Sequence, residues 1–306
     1  MRADSVSPCF LSPAHVRTRA AERALSVEEL VLELLPWAEA YASSPISNFR
    51  VGAIALGLSG ALYAGANLEF PGESLSFSVH AEQAAVYNAW VHGEAGVTLI
   101  ASTAAPCGYC RQFLNELTTA SELRVVLPGR PPTTLAALLP EAFGPRDLIM
   151  SGGLMQPSTR SLKLGKAAED RAATAASSAA ADLVTAAALA AASAAYAPYS
   201  GTYAGVGLRM ASGAVFAGRY AENAAFNPSL SPLQGALVAL TLAGGSHAAI
   251  DDAVLVEASE PTPGRLQPNA GQRATTAALL AAVAPGVPLR YLRADYEGDG
   301  RHGAGV

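Results

Sequence analysis

Apolar positions recur at helical spacing over residues 27–38 (VEELVLELLPWA), with the acidic residues on the opposite face, so a helix is expected there. Residues 1–40 together read as a helical lead-in. From residue 41 the period changes. Residues 50–58 have the apolar run of a strand, Ser59-Gly60 supplies a tight turn, and 61–65 return as the second strand of a hairpin. A helix is predicted over 81–92 and is stopped by Gly93. Residues 97–102 and 123–127 read as short buried strands. Residues 107–117 read as a helix led by Pro106, whose missing N–H suits a helix start. Strands alternating with helices predict a layered α/β domain.

Residues 156–181 are rich in Ala, Ser and Thr and are expected to form a linker, after which the pattern begins again. Tyr41-Ala42 is echoed by Tyr196-Ala197, and Val51-Gly52 by Val206-Gly207. Ser59-Gly60 and Gly65 return as Ser212-Gly213 and Gly218, while Asn67, Phe70 and Gln83 return as Asn223, Phe226 and Gln234. Ordered matches with a drifting offset are what a duplicated domain gives. The expected organisation is a lead-in over 1–40, a first domain over 41–155, a linker over 156–181, a second copy over 182–294 and a disordered tail over 295–306. Residues 183–208 carry no charge, yet the first half of the stretch is mostly Ala and the second is interrupted by Pro198 and Gly201. That is too weakly apolar for a membrane span, and a buried helix, a loop and a strand are expected instead. No leader-like apolar block precedes residue 27, so a cytoplasmic protein is expected.

Composition narrows the function classes. At 306 residues, two domains are the ordinary expectation. Lys and Arg number 20 against 25 Asp and Glu, a net charge of −5, which disfavours a protein whose affinity comes from neutralising phosphates. Three cysteines, Cys9, Cys107 and Cys110, are too few for a disulfide scaffold.

Candidate chemistry concentrates in His80-Ala81-Glu82 and Pro106-Cys107-Gly108-Tyr109-Cys110, each at the start of a predicted helix. Cys107 and Cys110 stand three apart and share one face of a first helical turn. The positive end of the helix favours thiolate, the form that binds metal. One histidine and two thiolates are three ligands for a tetrahedral zinc and leave one position open, as catalytic sites require. Two thiolates cancel the formal charge of the ion, so a carboxylate is still needed to take and return a proton. Glu82 is placed for that work, with Arg111 as a further electrostatic aid. A C-x-x-C redox pair is the competing reading, but it leaves His80-x-Glu82 without a role. The second half has no cysteine, and Ser231 and Leu233 fall opposite His80 and Glu82. One half is therefore expected to carry the chemistry and one zinc per chain.

H-x-E followed by P-C-x-x-C is the known signature of zinc nucleobase deaminases, a recognised pattern and not a deduction from spacing. Beyond it, Asn67-Leu68-Glu69-Phe70, the run PCGYCRQFLNEL from Pro106, and YAENAAFNPSLSPLQ from Tyr220 closely resemble the homodimeric type of bacterial cytidine deaminase. The resemblance implies a three-layer α/β/α sandwich in each half, with a mixed sheet and a degenerate second copy. It implies zinc on His80, Cys107 and Cys110, water activated for attack at C4 of the pyrimidine, and Glu82 shuttling protons to N3 and the leaving ammonia. It also implies that Asn67 and Glu69, flanking Leu68, bind the ribose hydroxyls. Phe49 stacks on the base, and the backbone of Ala81 and Ala105 contacts the pyrimidine edge and the amine. In this type the partner subunit's second half helps close the pocket, which makes 223–228 a candidate lid of a homodimer.

Between Val51 and Cys110 there is no Lys or Arg, while Glu69, Glu73, Glu82 and Glu94 all lie in that stretch. A phosphate-bearing substrate needs cationic or backbone donors. Arg50, Arg111 and Arg124 flank the segment. A free nucleoside is the favoured substrate, with no nucleic-acid or membrane partner. A nucleotide or polynucleotide deaminase, or a closed structural zinc site, is the alternative.

Overall fold

Six strands form one mixed sheet in the order β1-β3-β2-β4-β5-β6. They are β1 (Phe10–Leu11), β2 (Gly52–Gly57), β3 (Leu62–Ala66), β4 (Val97–Ser102), β5 (Arg124–Val126) and β6 (Thr133–Thr134). The structure is a computed structural model that describes residues 9–157, 160–165, 179–258 and 271–296. Neighbouring strands are antiparallel except β4 and β5, which run parallel. The hairpin, the strand at 97–102 and the strand at 123–127 form as their patterns predict, to within a residue or two.

Helices cover both faces of this sheet, and two glycines show why. Gly52 of β2 pairs with Ala66, and Gly65 of β3 pairs with Ala53, so the two glycines point to opposite faces. A Cβ on Gly52 would lie 2.4 Å from the Glu39 nitrogen of α3 (Leu35–Glu39). A Cβ on Gly65 would lie 2.1 Å from the Ala85 nitrogen of α4 (Ala81–Val91). Each helix therefore rests its backbone on a strand, one on either side, and the unit has three layers. On the α3 side, α1 (Pro13–Arg23) and α2 (Val27–Glu33) add Val16, Leu30 and Val31 to a core with Ile54, Leu62 and Leu99. Helix α4 is buried from Ala81 to Trp90, its polar residues Glu82, Gln83 and Asn88 included.

The single helix expected over 27–38 is two, α2 and α3. Pro36 has no N–H to give back to the preceding turn, so the chain turns at Leu34 and restarts, with the Trp37 N–H on the Leu34 carbonyl at 3.0 Å. The lead-in also contributes β1, which pairs with β3 and is too short to show in the sequence pattern.

The second half builds the same core topology. Strands β7 (Leu162–Leu164), β8 (Ala204–Met210), β9 (Val215–Arg219), β10 (Ile250–Ala258) and β11 (Leu289–Tyr296) are ordered β7-β11-β10-β8-β9. Along β9-β8-β10-β11 the pairings are antiparallel, antiparallel and parallel, as along β3-β2-β4-β5. Gly205 and Gly218 rest on the helices Ala179–Ser193 and Pro232–Leu242 as Gly52 and Gly65 rest on theirs. The duplication is real, but its register differs from the echo in the sequence. Gly52 and Gly65 correspond to Gly205 and Gly218, a constant offset of 153, and Leu35 and Glu39 correspond to Ala188 and Ala192 at that same offset. Tyr41/Tyr196 and Val51-Gly52/Val206-Gly207 are therefore two residues out of register, and Asn67/Asn223 and Phe70/Phe226 three. The Ser59-Gly60/Ser212-Gly213 and Gly65/Gly218 echoes keep the structural offset of 153, so the mismatches are chance identities beside them.

By internal packing the chain divides into two units. The first is Met1–Pro157 with Asn223–Leu230 and Val238–Gly245, and the second is Ser158–Glu222 with Ser231–Leu237 and Ser246–Val306. Within the stretch expected as a linker, β7 joins the second sheet by pairing with β11. Residues 158–159 and 166–178 of that stretch, and 297–306 of the expected tail, lie outside the described residues, whereas Asp295 and Tyr296, expected in the tail, end β11. Among the described residues no helix is long and apolar enough to cross a membrane.

Candidate metal centre

His80 is the N-cap of α4, and Cys107 is the N-cap of α5 (Gly108–Leu114), with Cys110 in its first turn. The helix expected over 107–117 is thus shorter, and Cys107 flanks it. Both helices present their N-terminal ends at one point. His80 Nδ1 lies 3.2 Å from Cys110 Sγ and 3.5 Å from Cys107 Sγ, and the sulfurs are 3.7 Å apart. The three donor atoms all lie within 4.8 Å of one another. Tetrahedral bonds of about 2.3 Å to sulfur and about 2.0 Å to nitrogen put two sulfurs about 3.8 Å apart and nitrogen about 3.5 Å from sulfur. The spacing fits zinc.

The protonation chemistry fits as well. Hydrogen bonds from Cys110 and His80 hold the Cys107 thiol down to about 3, so this sulfur is a thiolate. Its presence, through the same hydrogen bond, raises the His80 imidazole. The Cys110 thiol is pushed up, first by its bond to Cys107 and then by burial. A thiolate among the three donors is the form that binds a divalent cation.

Glu82 is buried, and desolvation raises its carboxyl. Its Oε2 lies 3.3 Å from Cys110 Sγ, which places the carboxyl beside the donor set. Arg111 is committed elsewhere: its Nε donates to the Pro106 carbonyl at 2.8 Å and its Nη1 to the Leu138 carbonyl at 2.8 Å. It fixes the turn entering Cys107 in place of the electrostatic aid that its sequence position implies. Ala81 is buried at the start of α4, and Ala105 is exposed ahead of Pro106.

Asn67, Glu69 and Phe49 come together through one turn. Asn67 Oδ1 accepts the Val51 N–H at 2.9 Å, and its Nδ2 donates to the Phe49 carbonyl at 2.9 Å. Glu69 accepts the N–H groups of Ile46 (2.8 Å) and Ser47 (3.0 Å) and the Ser47 hydroxyl (2.5 Å). Burial pulls the Glu69 carboxyl up, but these bonds outweigh it and the net shift is down. Ser47 Oγ in turn accepts the Phe49 N–H at 3.0 Å, and the Phe49 ring is exposed. Leu68, between Asn67 and Glu69 in the sequence, is buried. Ser47 went unnoticed in the sequence, where one serine among several gives no signal.

Two stretches of the chain, residues 26–126 and 135–263, match the cytidine and deoxycytidylate deaminase zinc-binding region. The chain is 45% identical over 300 residues to the cytidine deaminase of Photobacterium profundum, covering 95% of each protein. It belongs to the cytidine and deoxycytidylate deaminase family. The cytidine deaminase of Vibrio cholerae is 46% identical over 264 residues, covering 86% of this chain and 82% of that protein. The crystal structure of cytidine deaminase from Mycobacterium tuberculosis is 35% identical, with a TM-score of 0.35, over 38% of this chain and 96% of that one.

Within this deaminase-family chain the second copy keeps the scaffold of the site and loses its chemistry. Glu222 accepts the N–H groups of Tyr199 and Ser200 and the Ser200 hydroxyl, and Ser200 Oγ accepts the Thr202 N–H. That repeats the clamp of Glu69 and Ser47 with Thr202 in the place of Phe49. At the helix start, Gln83 Oε1 accepts the His80 N–H at 3.2 Å, and Gln234 Oε1 accepts the Ser231 N–H at 2.8 Å. Ser231 Oγ then accepts the Gln234 N–H at 3.3 Å, an ordinary capping box where the deaminase copy holds a ligand.

Proposed function

We propose that the protein catalyses the hydrolytic deamination of cytidine and 2′-deoxycytidine to uridine and 2′-deoxyuridine, with release of ammonia. The observation that carries this reading is the His80, Cys107 and Cys110 donor set with the buried Glu82 carboxyl beside it. Zinc held by these three residues supplies a Lewis acid that lets water act as a nucleophile near neutral pH. Glu82, raised by burial, takes one proton from the water and delivers it to ring N3, then takes the second from the resulting C4 hydroxyl and passes it to the departing amine. Atoms balance: water adds its oxygen at C4 and the amino group leaves as ammonia.

Substrate placement rests on the other residues. The ring of Phe49 stacks on the pyrimidine, and the backbone of Ala81 and Ala105 meets its polar edge. Asn67 and Glu69, on either side of Leu68, take the ribose hydroxyls. Their present bonds to the 46–51 turn keep both side chains in place ahead of binding, which limits the ordering cost.

A free nucleoside is favoured over a nucleotide by where the flanking cations go. Arg50 donates to the carbonyls of Glu39 and Ala40, Arg111 to those of Pro106 and Leu138, and Arg124 pairs with Glu28. All three guanidinium groups are engaged with the protein itself. The same reading makes the protein a cytoplasmic homodimer that takes a small nucleoside and uses neither nucleic acid nor membrane as a partner. The direct test is ultraviolet monitoring of cytidine with zinc-loaded protein, with and without a chelator. Loss of cytidine absorbance that the chelator abolishes is expected; no change in either sample overturns the reading.

A further inference from the structure

The donor set is assembled from two helices that no covalent link joins near the site. His80 caps α4 and Glu82 lies in its first turn, while Cys107 caps α5 and Cys110 lies in its first turn. A third segment bonds to both. Tyr109, between the two cysteines, donates its hydroxyl to the Asn227 carbonyl at 2.7 Å, and its ring lies 5.5 Å from that of His80. Gln83 donates from Nε2 to the Pro228 carbonyl at 3.1 Å while its Oε1 holds the His80 N–H. Further along α5, the Gln112 carbonyl accepts from Asn223 Nδ2 at 3.0 Å. Past the end of α5, the fully buried Glu116 carboxylate accepts the Ala224 N–H at 2.8 Å.

We propose that Asn223–Leu230 is a strap that sets the separation of the two ligand-bearing helices, with Tyr109 and Glu116 as positioning residues for the metal centre. The proposal rests on the zinc reading of that centre. The strap is wound on itself before it reaches the helices. Ser229 Oγ accepts the Asn223 N–H, Asn223 Oδ1 accepts the Ala225 N–H, and the Phe226 N–H bonds to the Asn223 carbonyl. Phe226 sits at φ 61°, a left-handed conformation that an aromatic residue rarely adopts and that persists only where the surroundings over-determine it. Pinning at Asn223–Ala224 on one side and Asn227–Pro228 on the other supplies that determination. A buried carboxylate at Glu116 costs desolvation unless it is hydrogen-bonded, so its grip on Ala224 is strong in proportion. The strap comes from the copy that lost its ligands, and it gives that copy a continuing part in the chemistry of the other.

Tyr109→Phe and Glu116→Gln test this in the full chain loaded with zinc. The readouts are the rate of zinc release to a metallochromic chelator and the visible spectrum of the cobalt-substituted protein. Tyr109→Phe removes one hydroxyl and leaves the ring against His80. It is expected to speed zinc release about tenfold, the lower end of what losing an outer partner of a metal ligand does, with the thermal midpoint of the zinc-free protein unchanged. Glu116→Gln shifts release in the same direction. The double variant shows less than the sum of the two effects, because both act through one strap. Wild-type release and cobalt spectra in both single variants overturn the proposal, as does release that changes only in step with the thermal midpoint. Zinc-loaded wild type that binds metal but leaves cytidine intact refutes the proposed reaction alone, and the release kinetics still decide the strap.

Discussion

Glu82 illustrates what one buried carboxyl can do beside a cluster of thiols. Its side chain is buried and desolvation raises its carboxyl above the usual carboxylate range, which suits the proposed proton shuttle. Glu82→Gln keeps the shape and removes the proton traffic. Zinc content is expected to stay at one per chain while steady-state turnover of cytidine falls about a hundredfold to ten-thousandfold, measured side by side on one preparation. Glu69 is a different case, because its oxygens already hold the turn at Ile46 and Ser47, as Glu222 holds the turn at Tyr199 and Ser200. Glu222→Ala removes the turn clamp of the second copy and should lower the thermal midpoint without altering the KM for cytidine. Glu69→Ala should lower the midpoint similarly and also raise KM roughly tenfold to a hundredfold, as loss of a charged hydrogen bond does. The grouping of His80, Cys107 and Cys110 with Glu82 was legible in the sequence because it depends on residue type at local spacing. Ser47 and Glu116 were not, since what they grip is set by chain folding back from 22 or 108 residues away.

The elements owe their close packing to single glycines in the strands. At Gly65 even a methyl group meets the backbone of α4 at 2.1 Å, and backbone cannot rotate aside. Gly65→Ala is expected to destabilise by about 1–3 kcal/mol, read as a lower midpoint in thermal or denaturant unfolding. Gly108→Ala, at the first position of α5 with open space around its Cβ, should leave the midpoint unchanged or slightly higher. Strand and helix positions could be read from periodicity because burial on one or both faces imposes it. Helix ends were harder. The break at Leu34 follows from Pro36 in the middle of an otherwise good helix, and the start of α5 at Gly108 follows from Cys107 taking the cap position.

For the whole molecule, the mild acidity matters less than where the few cations are spent. With Arg50, Arg111 and Arg124 bonded to carbonyls or to Glu28, a phosphate at the ribose end has no side-chain counter-charge from them. The kcat/KM for cytidine should exceed that for cytidine monophosphate by at least about tenfold, equivalent to roughly 1.4 kcal/mol, in a direct competition assay. That the chain is a duplication was visible in its repeats, and the Ser59-Gly60 and Gly65 echo carried the register, but isolated identities such as Tyr196, Asn223 and Phe226 a few residues away did not. Nor could the pattern show that residues 223–230 of the second copy belong with the first unit. The helix start that holds His80 in one copy and Ser231 in the other has a consequence for how such a chain changes over generations. The cap slot serves either a metal or the helix, and serine there satisfies a donor that histidine leaves to its neighbours, a gain of about 1 kcal/mol. Drift toward serine in a copy freed from catalysis runs downhill. The way back requires a histidine, a glutamate and two cysteines together, and none of them is useful alone. Loss of the second centre is in that sense a ratchet, and the surviving copy carries the whole selective load.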